Sequence, residues 1–284
     1  MCSFREMERN NVKTGSHGMS TFSDPAAVQD AKLIKVLTYN VHSCIGTDRR
    51  LDPQRIADVI AASGADIIAL QELDVGRRRT GGIDQAHLIA TLLKMEAHFH
   101  PALHVEEEKY GDAILTALPT KLMRAGPLPS VGETRGAIWL QVIANGLQFN
   151  VLNTHLGLRG IDRSRQVATL LGRDWISSPE FQAAPAIICG DLNAIPLSPA
   201  YRMLAQQFRD VQLLAGGKPR PTYPSRLPVL RIDHVFVSEG LGVRRVTALA
   251  DPLARRASDH LPLLAEIEPS TALIRAGMRS VASA

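Results

Sequence analysis

Nine short apolar runs, rich in β-branched residues and each bounded by polar or turn residues, recur along most of the chain. They are Leu33–Thr38, Asp66–Leu70, Ala113–Ala117, Ala137–Ile143, Leu147–Asn153, Ala186–Cys189, Ile232–Val237, Val243–Ala248 and Leu261–Ile267. Runs this short and this continuously apolar read as strands buried on both faces, so the sheets they form must be covered by other layers. Three amphipathic segments supply the cover. "LDPQRIADVIAASG" offers Asp52 as N-cap, Pro53 at the first helical position, Ile56, Val59 and Ile60 on one face, and Gly64 as a stop. "DQAHLIATLLKM" sets Leu88, Leu92 and Met95 on its apolar side, and "DRSRQVATLLGRDWISS" places Val167, Leu170, Leu171 and Trp175 at helical spacing.

Ala144-Asn145-Gly146 joins two of the runs through an Asn-Gly turn, a hairpin signal, so the sheets are mixed rather than purely parallel. The expected fold is an α/β sandwich of two mixed sheets packed face to face with helices outside. One domain is expected over 31–269, after a disordered lead-in over 1–30 and before a peripheral tail over 270–284. A hydrophobic fraction of 45% suits a sizeable core. No window approaches the roughly 18–20 apolar residues of a membrane span. The first residues lack the apolar centre of a secretory signal. Cys2, Cys44 and Cys189 are sparse and odd in number, which fits a reducing cytoplasm better than a disulfide framework. The net charge of +4, carried mostly by arginine, permits a polyanionic partner without requiring one.

The chemistry-bearing residues fall where apolar runs start or stop. "VLTYNVH" ends on Asn40 and His42, "DIIALQELD" on Gln71, Glu72 and Asp74, "FNVLNTHLG" on Asn153 and His155, and "AIICGDLN" on Asp191 and Asn193. Asp233 opens "DHVFV", and Asp259 and His260 precede the last run. Each alone reads as a turn or strand cap. Six together do not, because turn chemistry does not select Glu and His. A cluster of hard oxygen donors with two histidines is what Mg²⁺-assisted phosphoryl chemistry requires. The donor set argues against structural zinc, and neither a phosphate-binding P-loop nor a G-x-S-x-G elbow is present.

In order, "LTYNVH", "IIALQE", "YGDAIL", "ETRGA", "NTHLG", "GDLNA", "RIDHVFV" and "SDHLPL" resemble the endonuclease/exonuclease/phosphatase superfamily. That group includes deoxyribonucleases, abasic-site endonucleases, neutral sphingomyelinases and inositol-phosphate 5-phosphatases. The resemblance covers about residues 33 to 267 and implies a four-layer α/β sandwich. It implies a metal-dependent hydrolase in which water at a Mg²⁺ (or Mn²⁺) site attacks the phosphoester directly. Glu72 then looks like the principal metal ligand, with Asn40 beside it and Asp259 in support. Asp191 would orient or deprotonate the water, and Asn193 would hold the water or the phosphate. His260, oriented by Asp233, would bind phosphate, and His155 would face it across the site. Arg135 serves substrate phosphate or site architecture. Two positions depart from the pattern. His42 stands where the abasic-endonuclease branch carries aspartate, and Asp112 stands where many members have asparagine. Asp112 is expected to pair with His155 and make it more basic.

The substrate reads less clearly. "GGKPRPTYPSRLPVLRID" brings Lys218, Arg220, Arg226 and Arg231, with Tyr223 as a stacking or hydroxyl group, and could meet DNA, a phospholipid headgroup or a sugar phosphate. Arg77-Arg78-Arg79 is either a solvated loop or a phosphate-steering one. A phosphodiesterase acting on nucleic acid or on a phospholipid headgroup is the leading expectation, with no membrane insertion and no obligate protein partner. The alternatives are a phosphomonoesterase on a small metabolite and a non-catalytic binding module; the intact polar set weighs against the latter.

Overall fold

A computed structural model describes residues 33–105 and 108–275; the expected lead-in over 1–30, Cys2 and the tail from 276 on lie outside the described residues. Four strands come first: β1 (Ile34–Asn40), β2 (Ile67–Val75), β3 (Glu96–Val105) and β4 (Glu108–Thr116). Six more follow: β5 (Thr120–Leu128), β6 (Arg135–Ala144), β7 (Leu147–His155), β8 (Ala186–Asp191), β9 (Arg209–Asp210) and β10 (Asp233–Val237). The chain then returns to the first sheet with β11 (Leu241–Ala248) and β12 (Leu263–Pro269). One sheet runs β11-β12-β1-β2-β4-β3 and the other β5-β6-β7-β8-β10-β9. Both are mixed: β1 pairs parallel with β2 and antiparallel with β12, while β7 pairs parallel with β8.

Alternation along the strands sorts side chains into three apolar layers. Val36, Ile67, Ala69 and Ile114 of one sheet meet Leu140, Val151, Ile187 and Val235 of the other in the central layer. The intervening residues Leu37, Tyr39, Ile68 and Leu70 point the opposite way, onto α1 (Pro53–Ser63) and α2 (Gln85–Leu93). On the far side Trp139, Leu152, Ile188 and Phe236 pack on α3 (Gly160–Leu170) and on Phe181 of α4 (Pro179–Gln182). Tyr201 and Leu204 of α5 (Pro199–Ala205) complete that layer. Short α6 (Val211–Leu214) and α7 (Pro252–Ala257) cover the remainder. Each fully buried Ile or Leu contributes about 1.5–3 kcal/mol, which is why these strands are apolar on both faces. Among the described residues, no helix is long and apolar enough to cross a membrane.

The helix signals act as the sequence implies. The Asp52 side chain accepts from the Arg55 amide, and Gly64 ends α1 in the left-handed region at φ 61°. Three details differ. The third helix stops at Leu170, so Trp175 reaches its outer layer through a turn. Strand β8 does not end with the apolar run at Cys189 but continues through Gly190 to Asp191. At φ 145° and packed so tightly that a Cβ would lie 1.8 Å from the Thr154 carbonyl oxygen, Gly190 lets β8 approach β7. Strands β3 and β5 carry no clear apolar run, and both lie at sheet edges.

Candidate active site

Register delivers the polar residues to one end of the sandwich. Asn40 pairs with Gln71 across β1 and β2, His155 with Asp191 across β7 and β8, and Asp233 with Asp191 across β10 and β8. Because Leu263 pairs with Thr38, the residues before β12 arrive at the same edge. There a cavity of about 640 Å³ is lined by His42, Glu72, Arg135, His155, Asp191, Asn193, Tyr223, Asp259 and His260. Asn40, Asp112 and Asp233 are not part of its wall and support residues that are. Nine of the twelve expected residues therefore line the cavity, and the other three hydrogen-bond directly to one that does: Asn40 to Glu72 and Asp191, Asp233 to His260, and Asp112 to the Glu72 amide; Arg135 is joined there by its neighbour Glu133.

Glu72 reaches the cavity through a break in the β2–β4 ladder. Register shifts between Leu70 and Leu73, and Glu72 adopts φ 62°, a strained value for a residue with a side chain. Asn40 Nδ2 donates both to Glu72 Oε1 (2.9 Å) and to Asp191 Oδ2 (3.0 Å), drawing two carboxylates to one point. Asn40 Oδ1 accepts from the His42 amide at 3.0 Å, so this side chain is fixed between the two carboxylates. His42 Nδ1 lies 3.4 Å from Glu72 Oε2 and 3.8 Å from Asp259 Oδ1. Burial works against the Glu72 charge. The His42 hydrogen bond, the His155 ring and the Asn40 amide outweigh burial and hold Glu72 well below the usual carboxylate range.

Asp191 is buried, and burial pushes its pKa up to about 7, against the pull of His260 and the Asn193 and Asn40 hydrogen bonds. Its Oδ1 accepts from the Asn193 amide at 2.9 Å, and Asn193 is itself left-handed at φ 47°. Asn193 Nδ2 donates to the Leu156 carbonyl (2.9 Å) and lies 3.0 Å from His155 Nε2. Since the amide can only donate, His155 Nε2 accepts and Nδ1 carries the proton. Burial, with Arg135 second, pushes His155 down to about 3. His260 is the opposite case. Its Nδ1 lies 2.9 Å from Asp233 Oδ2, which also accepts from the Thr222 hydroxyl at 2.5 Å. Burial opposes the His260 charge, but Asp233 and Asp191 prevail and push its pKa up to about 10. Its Nε2 stands 3.6 Å from Asp191 Oδ2, and the Tyr223 ring lies over it with centroids 4.7 Å apart.

Two expectations need correction. Asp112 does not pair with His155: the His155 Nδ1 atom is buried without a hydrogen-bond partner, and the ring is less basic than a free histidine, not more. Asp112 sits opposite the β2 break, where burial pushes its pKa up to about 7 against the Arg135 charge and the Glu72 amide. The arginine loop is largely anchored. Arg79 binds both oxygens of the buried Asp74 at 2.7 Å, and Arg77 lies 3.7 Å from Asp74 and 3.5 Å from Glu108. Gln71, Asp74 and Asn153, read as part of the strand-end set, face the interior and bond within it. The cavity also recruits Tyr110, Glu133 and Arg163. Tyr110 and Glu133 lie inside motifs already noted, whereas nothing in the spacing of α3 marks Arg163.

The donor groupings among the described residues are Glu72–His155–Asp191 and Asp191–Asp233–His260, with ligand atoms within 4.8 Å of one another. Glu72 is held ionised, and with Asp259 it faces the cavity as an oxygen acceptor, with His42 Nδ1 3.4 Å and His155 Nε2 3.9 Å from its carboxylate. That donor chemistry fits a divalent cation.

The Endonuclease/Exonuclease/phosphatase family model matches residues 37–260. The uncharacterized protein YbhP of Escherichia coli strain K12 is 29% identical over 248 residues, which cover 82% of this chain and 95% of that protein. A conserved protein of unknown function from Enterococcus faecalis V583 superposes with a TM-score of 0.69 at 21% identity, covering 84% of this chain and 100% of that one. The human nocturnin catalytic domain with bound sulfate gives 0.67 at 23% identity, covering 84% and 95%. The mannosyl-6-phosphatase Bt3783 of Bacteroides thetaiotaomicron VPI-5482 gives 0.69 at 19% identity, covering 83% and 99%.

Proposed function

The chain belongs to the endonuclease/exonuclease/phosphatase family of phosphoester hydrolases, and from that premise we propose that it cleaves a phosphodiester by direct attack of water. The observation that carries the reading is the double donation by Asn40, which places the Glu72 and Asp191 carboxylates at one point on the cavity wall. A carboxylate held ionised beside one held near neutral pH divides the labour between charge and base.

Glu72, with Asp259 beside it, would hold Mg²⁺ or Mn²⁺, whose chemistry is to polarise the phosphoryl oxygens and offset the charge that develops on them. Asp191, raised to about 7, accepts the proton of the attacking water at physiological pH. His260, kept cationic by Asp233, donates from Nε2 to a phosphoryl oxygen, and its tautomer and ring orientation are fixed by the 2.9 Å bond at Nδ1. Asn193 holds His155 with Nε2 as acceptor, so a neutral imidazole faces the cationic one across the site. Arg135, anchored to Glu133 at 2.8 Å, adds positive potential at the wall, and Tyr223 braces His260. His42 lies on the wall near Glu72 and Asp259, within reach of a bound phosphate. Nucleic acids and phospholipid headgroups both contain the ester this site would meet.

Asp191→Asn keeps the shape and removes the base. Hydrolysis of bis(p-nitrophenyl) phosphate should fall roughly 10²–10⁴-fold, and EDTA should abolish it in the wild type. Turnover that survives both the substitution and the chelator would exclude this mechanism.

A further inference from the structure

Seven large exposed aliphatic side chains lie at, or within three residues of, chain positions that wall the catalytic cavity. Leu158 (72% exposed) comes from the segment joining β7 to α3 and Ile161 from the first turn of α3, while Ile195 and Leu197 (72%) come from the segment between β8 and α5. Leu227 (73%), Val229 (66%) and Leu230 come from the long connection between α6 and β10. The three segments meet at one rim, because Leu158, Ser198 and Leu230 all belong to the cavity wall. Isolated exposed leucines are ordinary on a soluble protein. Seven on the three segments that share one cavity wall, three of them (Leu158, Ile195 and Leu230) in the wall itself, mark an interaction surface.

Charge narrows what that surface meets. Segments 156–163, 192–199 and 215–232 carry six cations against one acid, Asp162. Arg163 and Arg231 turn inward, onto the Gly157 and Leu158 carbonyls and onto Asp210, whereas Lys218, Arg220 and Arg226 are exposed. A nucleic acid would be gripped through cations and polar donors, and through aromatic faces on which bases stack. The single aromatic residue on these segments is Tyr223, and its ring is engaged with His260. Exposed aliphatic residues on segments that also carry exposed cations instead match a bilayer interface, which offers acyl chains at shallow depth and anionic headgroups above them.

We infer that the rim formed by these three segments docks on an anionic phospholipid surface and that the substrate is the phosphodiester of a lipid headgroup in that surface. The chemistry rests on the hydrolase reading above; the docking does not. One water is consumed. Its oxygen bonds to phosphorus, one ester P–O bond breaks, and the proton taken by Asp191 ends on the departing alcohol.

The test is sedimentation of the full chain, in EDTA, with vesicles of phosphatidylcholine alone or mixed with phosphatidylglycerol. Hydrolysis of bis(p-nitrophenyl) phosphate with Mg²⁺ is followed in parallel. The wild type should partition onto the mixed vesicles and much less onto the neutral ones. Leu197→Ser combined with Leu227→Ser and Val229→Ser should weaken partitioning at least about tenfold and leave hydrolysis of the soluble ester unchanged. Absence of vesicle binding, or binding indifferent to these substitutions, overturns the docking and leaves the hydrolase standing. A wild type that dimerises through the same residues, or that prefers duplex DNA to vesicles, also overturns it. Vesicle binding without turnover of any phosphodiester would instead remove the hydrolase reading.

Discussion

Glu72 illustrates how a single residue bears the strain of a site. Its left-handed backbone costs on the order of 1–3 kcal/mol, and the surrounding bonds hold it there: Asn40 from β1, and Asp112 facing its amide. His260 shows the electrostatic side. Its pKa is raised above the 6.5 of an unperturbed histidine, so the charged ring stabilises the fold fully below that pH, and the contribution is lost as pH rises through about 10. Asp233→Asn removes the first cause of the rise. A titration followed by histidine NMR should then show the midpoint falling by more than about one unit. An unmoved midpoint would show that Asp233 is not what charges the ring.

At the level of elements, caps and turns were legible because they act locally. Asp52 and Gly64 bound α1, Asp84 accepts from the His87 amide to start α2, and Ser198 in "IPLSP" caps α5 as the chain leaves the site. Edge strands were not legible, since β5 has a mostly exposed face and Pro127 inside it. The connection from α5 to β10 depends on a cluster with no sequence signature. Asp210 accepts from the Tyr201 hydroxyl at 2.7 Å and from the Gln212 amide at 2.8 Å, pairs with Arg231, and lies 3.7 Å from His234 Nδ1. Burial raises its pKa, but His234 and Arg231 outweigh burial and bring it to about 2. The folded value is depressed, so the contribution is present above the ordinary carboxylate pKa and lost as pH falls through about 2. Asp210→Ala should destabilise the protein by about 3–5 kcal/mol at neutral pH, because it strands a buried arginine. In urea unfolding, the gap from wild type should narrow between about pH 4 and pH 2. A gap independent of pH would mean that the cluster acts through packing alone.

The whole molecule is a pair of sheets that must stay in register for the site to exist. Beneath the site, Asn153 of β7 crosses the central layer and donates to the carbonyls of Leu70 and Ala113, each at 2.9 Å. These residues are the last pair before the β2–β4 ladder breaks at Glu72. Asn153 Oδ1 accepts from Gln71 Nε2 at 2.7 Å, which also bonds the Thr38 hydroxyl. A buried polar tie of this kind fixes one sheet against the other where apolar packing would tolerate sliding. Asn153→Ala should cost roughly 1–3 kcal/mol for each buried group left unpaired, read by chemical denaturation. A loss below about 1 kcal/mol would place sheet registration elsewhere.

By itself the sequence determined the layers, both ends of α1, the start of α2 and the set of polar residues at the strand ends, because periodicity, caps and motif order are properties of neighbouring positions. It also brought Glu72, Asp191, Asp233 and His260 into one hypothesis before any contact was known. Tertiary structure alone decided what each of them touches. Asn40 spans two sheets to reach Asp191, 151 residues away. Arg79 grips the buried Asp74 although its side chain stays 48% exposed, and His155 is left neutral by burial instead of being charged by Asp112. The aliphatic rim likewise belongs to three segments far apart in the chain. Hydrogen bonds, desolvation and surface patches depend on distances in space, and for residues this far apart the fold sets those distances.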